Sequence, residues 1–594
     1  MTIETTETSV PSAGSAAVLE AAGSPAGSPA WWSDAVVYQI YPRSFADGDG
    51  DGVGDLAGIR SRLDHLQQLG VDVIWLSPIY RSPQADNGYD ISDYQDIDPL
   101  FGTLEEFDEL LAEVHAAGMK LVMDLVVNHT SDEHAWFEAS RSSKDDPKRD
   151  WYVWRDAVVD EHGVPGPPTA WRSAFSGPAW TLDETTGQYY LHMFAAKQPD
   201  LNWDNPETRA AVYSMMNWWL DRGVDGFRMD VINLIAKDPS SLVAGAPHMV
   251  MGPQIHDHLQ EMHREVFSGR ERQFITVGEM PGVTVDDAVL FTDPSRRELD
   301  MVFQFEHVGL DHGPKWKFDN VPLSLVELKR SLSRWQTGLA DAGWNSLYFG
   351  NHDQPRSLSR FGDDGAHRFE SATLLATVLH LHRGTPYIYQ GDEIGMANVQ
   401  FTSLDQYRDI ESINWFADAL ADGWTEEEAL ESLRFRSRDN ARTPVQWTDG
   451  PGAGFTDGEP WIEVAPDVAT VNVEADRAAG ARSVFGYYQR LIALRHELPV
   501  VALGEFALLA PEHPTLYAFT RTLGDDRLLV LANWSGEELV LTDSGAGDAE
   551  FDAALASFVS ADAELLIGNV PDAAARGIAS PLAPWEARVL RIAP

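Results

Sequence analysis

Three carboxylates, Asp230, Glu279 and Asp353, each close or follow an apolar run: GFRMD (Gly226–Asp230), FITVGE ending in Gly278–Glu279, and NHD (Asn351–Asp353). A fourth run, DLVVNH (Asp124–His129), precedes them and ends in a histidine. Two carboxylates in different environments are the minimum equipment for double displacement at an acetal carbon. One attacks that carbon; the other protonates the departing oxygen and then activates water. Asp230 suits attack, because Arg228, two residues earlier on a strand, points to the same side and would orient the carboxylate. Glu279, with its longer side chain, can reach a departing oxygen. Asp353, flanked by His352, could bind hydroxyls and favour a cationic transition state.

These groups meet only if the elements between them are regular. Val36–Phe45, Val71–Ser77, Lys120–His129, Val224–Val231, Phe274–Glu279, Met301–Phe305, Trp344–Gly350 and Thr385–Gln390 read as buried strands alternating with helical patterns. Leu56–Leu69 is one such helix, stopped by Gly70; Thr103–Ala117 is another, opened by a Thr103/Glu106 capping box. Eight parallel strands alternating with helices specify an α/β chain closed into a (β/α)8 TIM barrel, whose site lies at the strand C-termini.

The barrel is expected to span residues 31–129 and 200–499. Residues 130–199, rich in Trp, Pro, Gly and charge, are too long for a loop and predict an inserted small domain after the third strand. A second excursion covers about residues 391–466, before a helix at Val484–His496. From residue 500 to 594, TLYAFTRT, RLLVLANWS and ARVLRIA predict a C-terminal all-β sandwich. Residues 1–30, rich in Ser, Ala, Gly and Pro, predict a disordered tail without the regions of a signal peptide.

Composition excludes several classes. A net charge of −48 argues against nucleic acid and anionic membranes, which demand clustered Lys and Arg. The absence of cysteine removes disulfides, thiolate metal sites and thiol nucleophiles. No run of about 18 apolar residues predicts a membrane span. The expectation is a cytoplasmic enzyme, a monomer or weak homo-oligomer, with no organic cofactor. The 20 tryptophans suit stacking on sugar rings, although most tryptophans only pack.

The motifs DLVVNH, GFRMD, GE and NHD resemble the signature segments of the α-amylase superfamily, glycoside hydrolase family 13. QPDLNW (Gln198–Trp203), QADNGYDISDY (Gln84–Tyr94), FQFEH (Phe303–His307), YRDIE (Tyr407–Glu411) and RDNARTPVQW (Arg438–Trp447) resemble its oligo-1,6-glucosidase and α-glucosidase branch. The resemblance runs from Trp31 nearly to the end. It implies Asp230 as nucleophile, Glu279 as acid/base and Asp353 as transition-state stabiliser. It also implies that His129 and His352 contact the first glucose, that Arg228 supports Asp230, and that Tyr89 stacks on the ring. Asp86 and Arg442 resemble the pair that grips the non-reducing end and blinds the pocket, with Arg438 in the same segment as the rival for the second place. Val231, directly after the nucleophile, resembles the residue found in α-1,6-acting members, where strictly α-1,4-acting ones carry Thr.

The expected activity is retaining, exo-acting hydrolysis of terminal α-1,6-linked glucose from isomaltose and short isomalto-oligosaccharides. The alternatives are an α-1,4-acting α-glucosidase on maltose or sucrose, and a transglycosylase such as a sucrose isomerase. The stretch His307–Trp316 lacks the two arginines of the charged loop that sucrose isomerases often carry. A non-catalytic transporter-associated homologue is the remote alternative, at odds with three intact carboxylates.

One acidic loop, DGDGDGVGD (Asp47–Asp55), alternates carboxylates with glycines and suits a hard cation such as Ca²⁺ or Mg²⁺. Gly58 stands where an EF-hand would place its closing glutamate. Family resemblance implies a structural metal held by Asp47, Asp49, Asp51, the Val53 carbonyl and Asp55.

Overall fold

The computed structural model describes residues 30–237, 251–314, 316–541, 548–571 and 573–594. The tail expected at residues 1–30 lies outside these, apart from Ala30.

The eight expected strands form one parallel sheet: β1 (Val37–Ile40), β2 (Val73–Leu76), β3 (Lys120–Val126), β4 (Gly226–Asp230), β5 (Ile275–Glu279), β6 (Met301–Phe303), β7 (Ser346–Leu347) and β8 (Thr385–Tyr389). β1 pairs with both β2 and β8, and a parallel bridge from Val302 to Asn345 joins β6 to β7 and closes the barrel. The strands are shorter than the apolar runs that encode them, because each run continues past its last ladder bond into the loop that carries function. All five residues of β4, β5 and β8 are buried, as expected for strands packed on both faces.

Local signals set the intervening helices. Thr103 and Glu106 form the reciprocal capping box of Leu104–Ala116, worth about 1 kcal/mol. The Leu56–Leu69 pattern breaks at Arg62 into Leu56–Ser61 and Leu63–Leu69, the second closed by Gly70 at φ 94°. Asn205 caps Pro206–Arg222, which carries Pro at its first turn.

Between β3 and that helix the chain leaves the barrel. It builds a three-stranded antiparallel sheet (Trp154–Asp156, Gln188–Leu191, Trp180–Asp183) over a small core of Val153, Trp171, Ala179, Trp180 and Leu191. The bridges His129–Asp200 and Tyr152–Leu201 stitch its exit to its entry. After β8, helices Ile410–Ala421, Glu426–Arg436 and Asp439–Arg442 pack back over the barrel mouth.

The C-terminal unit is a five-stranded antiparallel sheet of Glu505–Leu509, Leu516–Leu523, Asp526–Asn533, Ala587–Ile592 and Glu564–Gly568. Helix Ala549–Ser560 supplies Phe551, Leu555 and Phe558 to its outer layer, beside a single bridge from Leu539 to Leu582. Buried Lys329 on a barrel helix donates to the carbonyls of Ala510, His513 and Leu516 at 2.7–3.0 Å and pins this unit down. Among the described residues no helix is long and apolar enough to cross a membrane.

Candidate active site

Arg228 is the hub. Register pairs it with Asp124 on β3, so guanidinium and carboxylate face each other across adjacent strands. Its Nη1 lies 2.7 Å from both Asp124 Oδ1 and Asp230 Oδ1, and its Nη2 lies 2.8 Å from Glu279 Oε2. One cation therefore serves three carboxylates, one within β3 and two at the ends of β4 and β5, with Arg228 itself only 1% exposed. Asp124 also accepts from Trp75 Nε1 at 3.1 Å and the Tyr89 hydroxyl at 3.0 Å, which satisfies its charge locally. Asp230 has fewer donors. Burial pushes its carboxyl well above the ordinary value; Arg228 opposes the rise, while Glu279, Asp124 and Asp353 add to it. The site is short of positive charge.

The residue after Asp230 is unusual. Val231 sits at φ 34°, and its N–H donates to Glu279 Oε2 at 3.1 Å. Both contacts to Glu279 fall on Oε2. The Val231 side chain lies on the cavity wall.

Asp353 is held from the opposite side. His352 Nε2 lies 3.1 Å from its Oδ2, and Arg438 Nη1 and Arg442 Nη2 each lie 3.0 Å from Oδ1. Burial would raise this carboxyl, but His352, Arg438 and Arg442 together outweigh it and hold the group well below the ordinary carboxylate range.

The pairing expected for Asp86 needs correction. Its guanidinium partner is Arg438, at 3.3 Å, not Arg442. Arg442, 1% exposed, spends its contacts on Asp353 and on the His352 carbonyl at 3.0 Å. The two arginines bracket one short helix, Asp439–Arg442, and stand one turn apart on the same face. The upper one reaches the cavity wall and the lower one stays beneath it. Arg438 also contacts Asp409 at 2.5 Å and Glu411 at 3.4 Å. Burial drives the Asp86 carboxyl up to about 7, with Arg438 and Arg442 pulling it down and Asp353 and Asp90 pushing it further.

The other candidates divide by depth. Tyr89 and His129 line the cavity. His352 and Arg442 carry no cavity surface; His352 is stacked behind Tyr89 with ring centroids 5.1 Å apart. Gln39 fixes the far side of His352, with its Nε2 2.8 Å from Nδ1. Gln198 Nε2 donates to Asp86 Oδ2 at 3.1 Å. Burial lowers His129 to about 4, so its ring is neutral at neutral pH.

The cavity measures about 1610 Å³. Asp86, Tyr89, His129, Asp230, Glu279 and Asp353 all line it, together with Phe175, Phe305, Leu310, Phe318 and Trp415. Phe175, from the inserted unit, stacks over the Arg438 guanidinium at 4.8 Å, and Arg172 pairs with Asp418 at 3.0 Å. The insertion and the post-β8 helices thus make one rim.

Sequence reasoning missed Asp124, Gln198, Asp409 and Glu411 as site residues. All four sit inside motifs quoted above, DLVVNH, QPDLNW and YRDIE, where the signal was present but not resolved by residue.

At the acidic loop, ligand oxygens of Asp47, Asp49 and Asp55 converge within 4.8 Å of one another. Asp51 is not in this group; its Oδ1 accepts from Val53 N at 2.8 Å. Burial works against ionised Asp47, but Thr456 and the N–H groups of Gly50, Gly52 and Asp49 outweigh it and lower its pKa. Asp55 is raised by burial. Gly52 is at φ 98°, and a Cβ there would meet the Glu459 carbonyl oxygen at 1.9 Å. Three oxygen anions in a tight glycine turn fit a hard divalent cation.

Residues 39–504 match the family model for the alpha amylase catalytic domain. An oligo-1,6-glucosidase of Parageobacillus thermoglucosidasius is 51% identical over 576 residues, covering 95% of this chain and 99% of that protein. An oligo-1,6-glucosidase of Halalkalibacterium halodurans is 55% identical over 516 residues, covering 85% and 91% respectively. The crystal structure of a Bacillus licheniformis trehalose-6-phosphate hydrolase superposes with a TM-score of 0.86 at 44% identity, covering 95% of this chain and all of that one.

Proposed function

The chain belongs to the alpha-amylase family and is a glycoside hydrolase, and from that premise we propose that it is an oligo-1,6-glucosidase: a retaining, exo-acting enzyme that releases terminal α-1,6-linked glucose from isomaltose and short isomalto-oligosaccharides. The observation that carries this reading is the single guanidinium of Arg228 shared by Asp230 and Glu279. Two carboxylates on one fork favour the short spacing of retaining enzymes, about 5–5.5 Å, over the wider gap that leaves room for water in inverting ones.

Asp230 attacks the anomeric carbon while Glu279 gives its proton to the glycosidic oxygen, and the C1–O bond breaks. The glucosyl ester on Asp230 is then cleaved by water as Glu279 takes the water's proton. Oε2 of Glu279 is occupied by Arg228 and Val231, which assigns Oε1 to the glycosidic oxygen. The shortage of positive charge around Asp230 becomes useful here, because the oxocarbenium-like transition state supplies it. Asp353, kept ionised by Arg438 and Arg442, and Asp86, on Arg438, accept from the glucose hydroxyls. The Asp86–Arg438 pair closes the pocket behind one glucose, hence exo action.

Two oligo-1,6-glucosidases among the relatives support the α-1,6 preference, as does Val231 on the cavity wall. A divalent cation on Asp47, Asp49 and Asp55 belongs to the same proposal, with a structural role only: it neutralises three converging carboxylates. The cysteine-free chain needs no oxidising compartment, which is compatible with the cytoplasmic location included in this proposal.

The test is hydrolysis of isomaltose followed by anomer-resolved NMR. α-Glucose should appear first, and Glu279→Gln should lower kcat by about 10³-fold or more. Initial release of β-glucose, or no hydrolysis of any α-glucoside, defeats the reading.

A further inference from the structure

We propose that Lys237 is a positioning residue of the glucose pocket: its ammonium orients the Asn128 amide and, through it, sets the tautomer of His129. The inference rests on the reading of the pocket given above.

Lys237 follows Asp230 by seven residues, is 8% exposed and does not line the cavity. Its Nζ donates to Asn128 Oδ1 at 2.5 Å and the Leu234 carbonyl at 2.6 Å, and it pairs with Asp200 Oδ2 at 2.9 Å. An ammonium has three donors, and here each finds an acceptor on a different segment: the end of β3, the turn after β4 and the exit of the inserted unit.

Because the cation claims Oδ1 of Asn128, the amide nitrogen must face the other way. It lies 3.1 Å from His129 Nδ1. That nitrogen is therefore the acceptor, and the ring proton goes to Nε2, which faces the Tyr89 carbonyl at 3.1 Å. Gln198 Nε2 also lies 3.2 Å from this nitrogen, but it has acceptors for both of its protons in Asp86 Oδ2 at 3.1 Å and the Tyr89 carbonyl at 3.4 Å. His129 lines the cavity and its ring is neutral, so what it offers a sugar is decided by tautomer rather than by charge. Flipping the Asn128 amide would reverse which nitrogen donates.

A simpler role must be separated from this one. Asp200 is buried, and Lys237 could be no more than its counter-ion. A double-mutant cycle on isomaltose hydrolysis, with glucose inhibition as the occupancy readout, distinguishes the two. Lys237→Met is expected to raise KM and the glucose Ki about tenfold while changing kcat less than about threefold; in a His129→Ala background it should change either by less than about twofold. Asn128→Ala cuts the relay and leaves the Lys237–Asp200 pair, and it should reproduce the rise even where Lys237→Met does not fold.

Restoration of KM and Ki in the neutral pair Lys237→Met/Asp200→Asn would overturn the proposal. So would an Asn128→Ala variant with native KM, or equal effects of Lys237→Met with and without His129. A wild-type protein that hydrolyses no α-glucoside would defeat the functional reading instead. Glucose titration by calorimetry on the same variants would then still read the coupling, with additivity overturning it.

Discussion

The backbone N–H of Val231 donates to Oε2 of Glu279 at 3.1 Å, while Val231 itself stands in the left-handed region at φ 34°. A β-branched residue there costs about 1–3 kcal/mol and persists only where the surroundings enforce it. The return is a direct backbone link between the residue after Asp230 and the opposing carboxylate. Val231 also lines the cavity.

That position predicts a linkage switch. Val231→Thr keeps the shape and backbone preference but adds a hydroxyl to an apolar wall. The ratio of kcat/KM on isomaltose to that on maltose should fall about tenfold, with little change in Tm. An unmoved ratio would remove Val231 from the specificity argument.

The two arginines of the segment Arg438–Arg442 should separate kinetically. Arg438 touches Asp86, Asp353, Asp409 and Glu411, whereas Arg442 touches Asp353 and the His352 carbonyl and pairs loosely with Asp409 at 3.7 Å. Arg438→Met is therefore expected to raise KM for isomaltose and the Ki for glucose by about 100-fold, since Asp86 loses its guanidinium partner. Arg442→Met should act mainly on stability, lowering Tm by several degrees, because a buried cation beneath the cavity is lost while Asp353 and Asp409 keep Arg438. The reverse pattern would restore Arg442 as the pocket-closing residue.

Asp86 predicts an acid limb. Only its ionised form accepts from two sugar hydroxyls, and burial drives its carboxyl up to about 7. kcat/KM should therefore rise with pH through a value near 7, and Asp86→Asn should flatten that limb. The stability sign is opposite. A folded-state value above the ordinary 3.8 means that the native state binds this proton more tightly, so its contribution is full below about pH 4 and is lost as pH rises through 7. Relative to wild type, Asp86→Asn should gain Tm between pH 5 and pH 8. A wild-type profile flat from pH 6 to 8 contradicts the assignment.

Much of this architecture is legible in the sequence because barrel strands are buried on both faces. FITVGE and, apart from Arg228, GFRMD carry no charge until the carboxylate that lines the cavity, so a strand's end and its functional group are read together. The loops are harder. Arg438 and Arg442 are four apart on one helical turn, and spacing puts both on one face without saying which is nearer the cavity. Asp124 begins its motif inside the strand rather than ending it, so it reads as a core polar residue until the register sets it opposite Arg228. Lys237 has no motif at all; only the fold brings Asn128, Leu234 and Asp200 around it.

The acidic loop gives the last prediction. Asp47, Asp49 and Asp55 repel one another at this range, and the loop is also tied to the post-β8 segment. Asp47 Oδ2 accepts from Thr456 Oγ1 at 2.5 Å, and Trp461 N donates to the Gly52 carbonyl at 3.0 Å. That segment also carries Asp409, Glu411 and Arg438, so loosening the loop should first be felt as instability of the rim. A chelator is expected to lower Tm by about 5 °C, with Ca²⁺ restoring it and kcat at low temperature unchanged. Asp49→Ala removes one of the three converging oxygens and should begin at the lowered Tm, with no further response to chelator. Wild-type protein whose Tm ignores both chelator and added Ca²⁺, and which carries no divalent metal by elemental analysis, would leave the three carboxylates as a solvated turn held by Thr456 and backbone N–H groups alone.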